Sequence, residues 1–210
     1  MRVIKPSISL EGFIDTKKIM QHIEMAGRVC YKSEEKISAG SAEKFIKSIL
    51  ERGHESVIEH VSITFKIICD RGVSHEIVRH RIASYSQEST RYCNYLKDSF
   101  GNELTFIKPC FWNETDKAYQ IWKETMLTIE QNYMTLINNG ASPQEARSIL
   151  PNSLKTELYV TMNLREWRHF LKLRTSKAAH PQMREVAIMI YEILIEKLPV
   201  LFEDIEVGSD

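Results

Sequence analysis

Glycine is scarce, with eight in 210 residues, and no G-x-G-x-x-G or G-x-x-x-x-G-K-[ST] run occurs. Neither a Rossmann fingerprint nor a P-loop is available, so a nucleotide bound here has to be held by side chains. Cysteine is sparser still: Cys30, Cys69, Cys93 and Cys110 are widely spaced and contain no C-x-x-C pair. That spacing argues against zinc ribbons, thioredoxin-like redox chemistry and a disulfide framework, and reduced thiols are expected. An excess of either charge is also missing, since 28 Lys and Arg balance 28 Asp and Glu. The average surface therefore has no general attraction to nucleic acid or to anionic membrane, and any anion site must be local. No apolar run approaches the ~18 residues of a membrane span. Met1 leads straight into Arg2-Val3-Ile4-Lys5-Pro6, without the apolar stretch and small-residue cleavage site of a signal peptide. A cytoplasmic protein is expected.

Hydrophobic residues make up 43% of the chain, enough for one sizeable core, and a single domain over 1–210 is expected. A strand is expected near Val3–Leu10. Asp15 is placed to cap a helix reaching Tyr31, with Ile19, Ile23, Ala26 and Cys30 on one face. Ser41 is placed to cap the next helix, which Gly53 stops. Val61, Ile63, Phe65 and Ile67 then alternate with polar residues, the period of a half-buried strand. Val73–His80 suits a short helix, and Ile82–Tyr95 reads as loop plus strand. A long amphipathic helix is expected from Thr115 to Asn139. Ser142-Pro143-Gln144-Glu145 is a capping box with proline at the first helical position, opening a helix that runs to Leu150. A strand through Leu158, Val160 and Met162 and helices Leu164–Arg174 and Pro181–Leu198 complete the chain. These elements do not alternate as strand–helix–strand units. The expected class is α+β, several helices packed on a small, mostly antiparallel sheet.

The densest polar cluster runs from Arg79 to Arg91, Arg-His-Arg-Ile-Ala-Ser-Tyr-Ser-Gln-Glu-Ser-Thr-Arg. Arginine stays charged and offers a planar fork of donors that matches phosphate oxygens, and Ser hydroxyls complete such a shell. An R-H-R by itself reads as a solvated basic surface. Here it is followed, after seven residues, by Ser89 and then Arg91. This R-H-R-x7-S pattern resembles the signature of the flavin-dependent thymidylate synthases. Further blocks look like that family's, in its order: Gly27-Arg28-Val29-Cys30-Tyr31, Gly53-His54-Glu55-Ser56 with Glu59-His60, Ala146-Arg147-Ser148-Ile149-Leu150-Pro151, and Asn163-Leu164-Arg165 with His169-Phe170-Leu171 and Leu173-Arg174.

The resemblance implies an enzyme that methylates dUMP to dTMP, with 5,10-methylenetetrahydrofolate as one-carbon donor and NADPH-reduced FAD as hydride source. It also implies a homotetramer with active sites shared between subunits. By position, Ser56, Arg79, His80, Arg81, Gln87, Asn163, Arg165 and His169 would contact FAD, with His54 and Glu59 as further flavin-side positions. Glu76, Arg79, Gln87, Glu88, Ser89, Thr90, Arg91, Arg147 and Arg174 would surround dUMP. Arg174 would be the catalytic residue.

Residue chemistry is compatible with these roles. Ser89, Arg91 and Arg147 suit a dianionic phosphate, although Arg147 alone would read as a surface helix arginine. Asn163 offers a donor and an acceptor to a flavin ring edge, and equally suits the N-cap of the helix that starts at Leu164. Arg165 and His169, at i and i+4, share one helix face. Arg174 is a fixed cation able to stabilise negative charge developing on a uracil edge, but not a proton donor; alone, it would read as a helix C-terminal cation complementing the dipole. Ser89 has no evident base beside it and is assigned to binding; Cys93 is read as a small thiol in preference to a nucleophile.

Two rival readings carry less. His54-Glu55 with Glu59-His60 has its histidines six apart, so they cannot meet one metal from a helix face, and no metal site is expected. A basic-patch nucleic-acid-binding protein built on Arg79–Arg91 is the alternative function, against which zero net charge weighs.

Overall fold

The computed structural model describes residues 1–97 and 101–208. Its strands are β1 (Arg2–Ile4), β2 (Ser7–Glu11), β3 (Ser62–Asp70), β4 (Ala83–Gln87), β5 (Thr105–Ile107) and β6 (Lys155–Asn163). Its α-helices are α1 (Thr16–Tyr31), α2 (Ser41–Glu51), α3 (Arg71–Ile77), α4 (Lys117–Asn138), α5 (Pro143–Ala146), α6 (Leu164–Arg174), α7 (Pro181–Lys197) and α8 (Pro199–Phe202). Four strands form one sheet in the order β2-β3-β6-β4, and β1 pairs with β5. β3 and β6 are antiparallel. Val61 O accepts from Leu164 N at 2.9 Å, the Thr64 and Thr161 hydroxyls meet at 2.8 Å, and Leu154 O accepts from Arg71 N at 3.1 Å, so partner numbers fall as the others rise. Both strands bury every second residue, Ile63 to Cys69 on one and Thr156 to Met162 on the other, as a pleated ribbon requires. The class is α+β, as the mixture of periods implied.

The chain divides into two compact units. The first comprises Met1–Ser7, Ile67–Arg79 and Ser86–Leu158; the second comprises Ile8–Lys66, His80–Tyr85 and the chain from Tyr159 onward. In the first unit, α4 turns Tyr119, Trp122, Met126 and Tyr133 onto Tyr95, Leu104, Phe106 and Leu154. The Met1 ammonium is anchored there between Glu130 at 3.0 Å and Glu103 at 3.3 Å. In the second unit, Trp167 of α6 is fully buried, meets Phe65 edge to face at 5.1 Å and donates its indole N–H to Ile63 O at 3.0 Å. Helix α1 lies against α2 at Gly27, where a side chain would run into the Phe45 ring.

Three local expectations are revised. The N-terminal strand is two strands, β1 and β2, because Pro6 between them has no N–H to give a ladder. Gly40, at φ 80°, takes the N-cap of α2, and Ser41 becomes its first residue with its hydroxyl 2.7 Å from Glu24 Oε2. β5 had no counterpart in the sequence reading: three residues are too few for a period, and its strand character comes from parallel pairing with β1, Arg2 to Thr105 through Ile4 to Ile107. By contrast, the Ser142–Glu145 capping box forms as expected, Ser142 N donating to Glu145 Oε2 at 2.8 Å.

Arg168 is the buried cation that ties α6 to the C-terminal segment. It is 1% exposed, donates to Glu55 at 3.2 Å and to both Asp204 oxygens at 2.7 and 2.6 Å, and also reaches Leu201 O. These bonds hold the Asp204 carboxyl below its ordinary value of 3.8. Arg168→Met is expected to lower unfolding free energy by about 3 kcal/mol, the low end for a broken buried pair, because Asp204 is half exposed and rehydrates. Since Asp204 titrates lower folded than unfolded, the wild-type advantage is complete above pH 3.8 and fades as pH falls further. Urea unfolding of both proteins at several pH values measures both effects.

Candidate active site

Asp70 caps α3 by accepting from Val73 N at 2.7 Å, and the chain leaves that helix at Val78 to enter the Arg79–Arg91 segment. The chain turns at Val78–Arg79, where Arg79 N donates to Glu76 O at 3.2 Å, before β4 begins at Ala83. Arg79 and Arg81 are exposed, while His80 between them is buried at 5% exposure. The basic patch is therefore two outward guanidiniums and one inward imidazole.

The imidazole is the centre of a polar set within the second unit. Glu166 Oε1 lies 2.9 Å from His80 Nδ1, and Arg174 Nε donates to His80 Nε2 at 3.2 Å. Tyr85 donates its hydroxyl to His80 O at 2.5 Å. The ring packs against Phe170 at 4.9 Å and His169 at 5.6 Å between centroids. Glu166 is fixed in turn by helix geometry: Asn163 Oδ1 accepts from Glu166 N at 2.9 Å, so the N-cap reading of Asn163 is realised. Burial lowers the His80 pKa; the Glu166 hydrogen bond opposes this, but the Arg174 charge adds to the lowering. Tyr85 is pushed up to about 12 by burial and by the Glu166 charge.

Beside this set is a pocket of about 540 Å³ lined by Glu55, Glu59, Ile82, Asn163, Arg165, Glu166, His169 and Lys172. It brings together four of the expected flavin-side residues: Glu59, Asn163, Arg165 and His169. Arg165 pairs with Glu59 at 2.6 Å, an exposed pair that an incoming phosphate could replace at little cost. His54 and Ser56 are exposed and outside this lining, His54 Nδ1 lying 3.0 Å from Tyr31 Oη. His60, at the end of the 3-10 turn Glu55–His60, is exposed. The ligand atoms of His80, Glu166 and His169 lie within 4.8 Å of one another. Both His80 nitrogens are already engaged and a guanidinium donor stands against one of them, which disfavours a cation there.

The expected dUMP residues other than Arg174 fall in the first unit. Gln87 commits its amide donors to Ser74 Oγ at 2.9 Å and Thr156 Oγ1 at 3.1 Å, which orients its carbonyl oxygen. Glu88 is a structural anchor, accepting from Tyr95 at 2.8 Å and Lys155 at 3.0 Å. Ser89 Oγ accepts from Arg91 N at 3.3 Å, forming a tight turn in which Thr90 is buried and Arg91 projects outward. Arg79 and Arg147 are exposed, and Glu76 is half-buried on α3. Cys93 has its thiol pushed up by burial and by Glu88, the wrong direction for an attacking thiolate. All four cysteines stand outside any disulfide.

Glu166, Tyr85, Lys172, Glu55 and Ile82 join the site without having been singled out by sequence. Only Glu166 carried a local sign, standing three residues after the cap Asn163, where a capping-box acid belongs.

Among known proteins, the chain matches the family model described as thymidylate synthase complementing protein over residues 14–200. It is 36% identical over 189 residues to a flavin-dependent thymidylate synthase of Geobacter sulfurreducens, covering 87% of this chain and 80% of the relative. To the enzyme of the same description from Pyrococcus furiosus it is 39% identical over 189 residues, covering 87% and 77%. A crystal structure of the UMP/dUMP methylase PolB from Streptomyces cacaoi, bound with 5-Br dUMP, superposes with a TM-score of 0.81 at 23% identity, covering 97% of this chain and 96% of that one. That likeness shows a shared fold. With the signature segment, the helix-capping Asn163 and the pocket-lining Arg165 and His169 in place, and the family pattern matched across both units, the chain belongs to the flavin-dependent thymidylate synthase family.

Proposed function

We propose that this protein catalyses the reductive methylation of dUMP to dTMP, with FAD as cofactor and with 5,10-methylenetetrahydrofolate and NADPH as co-substrates. The observation that carries the reading is the Glu166–His80–Arg174 set, built on a buried carboxylate and imidazole beside a polar pocket, in a chain that matches the family over residues 14–200. When bound, FAD supplies the hydride. The chain's own donor set fits such a group: Arg165, Lys172 and His169 offer positive or hydrogen-bonding character to phosphates, Asn163 offers an amide to a ring edge, and Ile82 offers an apolar face. Ser56, Arg79, Arg81 and His54 are further candidates to hold it. The assembly we infer is a homotetramer with sites completed between subunits, and the location is the cytoplasm; no described helix is long and apolar enough to cross a membrane. Both units belong, in this reading, to one functional domain.

The protein's share of the chemistry is to bind, orient and fix charge. Ser89, Arg91 and Arg147 hold the dUMP phosphate by charge-assisted hydrogen bonds. Gln87, with its amide donors committed inside the fold, presents a defined carbonyl oxygen to the nucleotide. Arg174 has its Nε–H committed to His80, so it addresses the uracil through its terminal nitrogens. A guanidinium fixed at that edge favours the negative charge that develops there during attack at C6.

A purified preparation is expected to be yellow and to release FAD on denaturation; a colourless protein that binds no added FAD would refute the reading. Arg91→Ala and Arg147→Ala are each expected to raise the dUMP KM by about 10- to 100-fold, the scale of a lost hydrogen bond to a charged group, with smaller changes in kcat. Arg174→Ala is expected to lower dTMP formation by about 100-fold or more while leaving flavin bound, because it removes charge stabilisation without touching the pocket lining. Steady-state dTMP assays with flavin absorbance on each variant provide the check.

A further inference from the structure

Arginine has no acceptor atom, so the Arg174 Nε to His80 Nε2 contact at 3.2 Å can be a hydrogen bond only if Nε2 carries a lone pair. A neutral imidazole has one protonated nitrogen, and that proton is then on Nδ1, pointing at Glu166 Oε1 2.9 Å away. We propose that Glu166 is a positioning residue for Arg174: its carboxylate holds His80 in the Nδ1–H tautomer, and His80 Nε2 thereby fixes the guanidinium that faces the substrate. This rests on the catalytic role given to Arg174 above and adds two residues to it, Glu166 and, in a positioning sense, His80.

Every member of the chain is constrained. Glu166 is 8% exposed, and its own N–H is held by the Asn163 cap. His80 is 5% exposed, wedged against Phe170 and pinned through its carbonyl by Tyr85. Its ring is thus unable to turn over without breaking packing as well as both nitrogen contacts. A long side chain such as Arg174 has several rotamers, and an acceptor at Nε restricts that freedom before substrate arrives. The same two acceptors that orient His80 and Arg174 also set the condition for failure. Protonating His80 would turn Nε2 into a donor facing a donor, beside a permanent positive charge.

Among the described residues, the charged and titratable groups against His80 include Glu166, Arg174 and His169 from α6 and Tyr85 from β4. Among these, Glu166 is the group that favours the protonated ring; burial, Arg174 and His169 disfavour it. The net lowering keeps His80 neutral to a pH below its ordinary value of 6.5. Activity should therefore be lost on an acid limb as pH falls through the lowered His80 pKa. Removing the carboxylate charge while keeping an acceptor, as in Glu166→Gln, should move that limb to still lower pH. Removing the acceptor altogether, as in Glu166→Ala, should release the tautomer.

The experiment uses the full-length, flavin-loaded enzyme and compares wild type, Glu166→Gln, Glu166→Ala and Arg174→Ala by pH–rate profile. It adds solid-state 15N spectra of histidine-labelled protein, with His80 identified by His80→Asn. Expected are a wild-type His80 protonated on Nδ1, a Glu166→Gln limb about one pH unit lower, and a Glu166→Ala kcat about 10- to 100-fold lower with a smaller change in dUMP KM. In Glu166→Ala the His80 signal should change to include the Nε2–H form. Unchanged dTMP formation in Arg174→Ala would remove the reading on which this rests. If Arg174→Ala is inactive, two results overturn the inference itself: a wild-type His80 protonated on Nε2, or a Glu166→Gln limb that coincides with wild type. Should Glu166→Ala fail to fold, the wild-type spectrum and the glutamine variant decide alone.

Discussion

An imidazole with both nitrogens engaged is the constraint on which the candidate site depends. His80 accepts from Arg174 and faces Glu166, so its protonation state and its tautomer are both dictated by its neighbours. Burial supplies the other half of the constraint. In a site screened from water, an unmade hydrogen bond costs about 1–3 kcal/mol, so the donor–acceptor order along Glu166, His80 and Arg174 cannot be scrambled cheaply. A permanent cation is thereby held with defined direction in a chain whose sequence has no G-x-G-x-x-G or P-loop run to position charge by other means.

The fold places these groups through strand and helix ends. β6 runs directly into α6 at Asn163, whose side chain caps the helix, and the first turn of that helix then carries Glu166 while its last carries Arg174. Arg174 is eight residues on from Glu166, roughly two helical turns, so both stand on one side of α6 with His169 and Phe170 between them. Next to that side, Trp167 packs on Phe65 and Phe170, and Arg168, turned further round the helix, holds the C-terminal segment through Asp204. Rigidity of the site is thus borrowed from the hydrophobic packing and the buried ion pair behind it.

How the two expected ligand sets distribute follows from the chain path. The signature segment passes from one compact unit to the other and back within a few residues, Arg79 in the first, His80 to Tyr85 in the second, Ser86 onward in the first. One short stretch therefore contributes both the Ser89–Arg91 turn, to which we assign the phosphate, and the polar set around His80. β4 separates the two ends of the segment, with His80 before the strand and the Ser89–Arg91 turn after it, which is why a compact motif can supply two environments.

The sequence by itself determined the period-two burial of β3 and β6, the long amphipathic α4, the capping box at Ser142 and the dense Arg79–Arg91 cluster, because each is a local pattern whose cause lies within a few residues. Its motif blocks likewise placed Asn163, Arg165 and His169 together as one helix end and face, and they line one pocket. Only the tertiary structure decided that His80 points inward, that Glu166 rather than solvent receives its Nδ1 side, and that Glu88 is an anchor for Tyr95 and Lys155. It also decided that β5 exists, through pairing with β1. The reason is the same in each case: those properties belong to partners some 7 to more than 100 positions away, and hydrogen-bond direction, burial and strand pairing are set by what faces a residue, not by what flanks it.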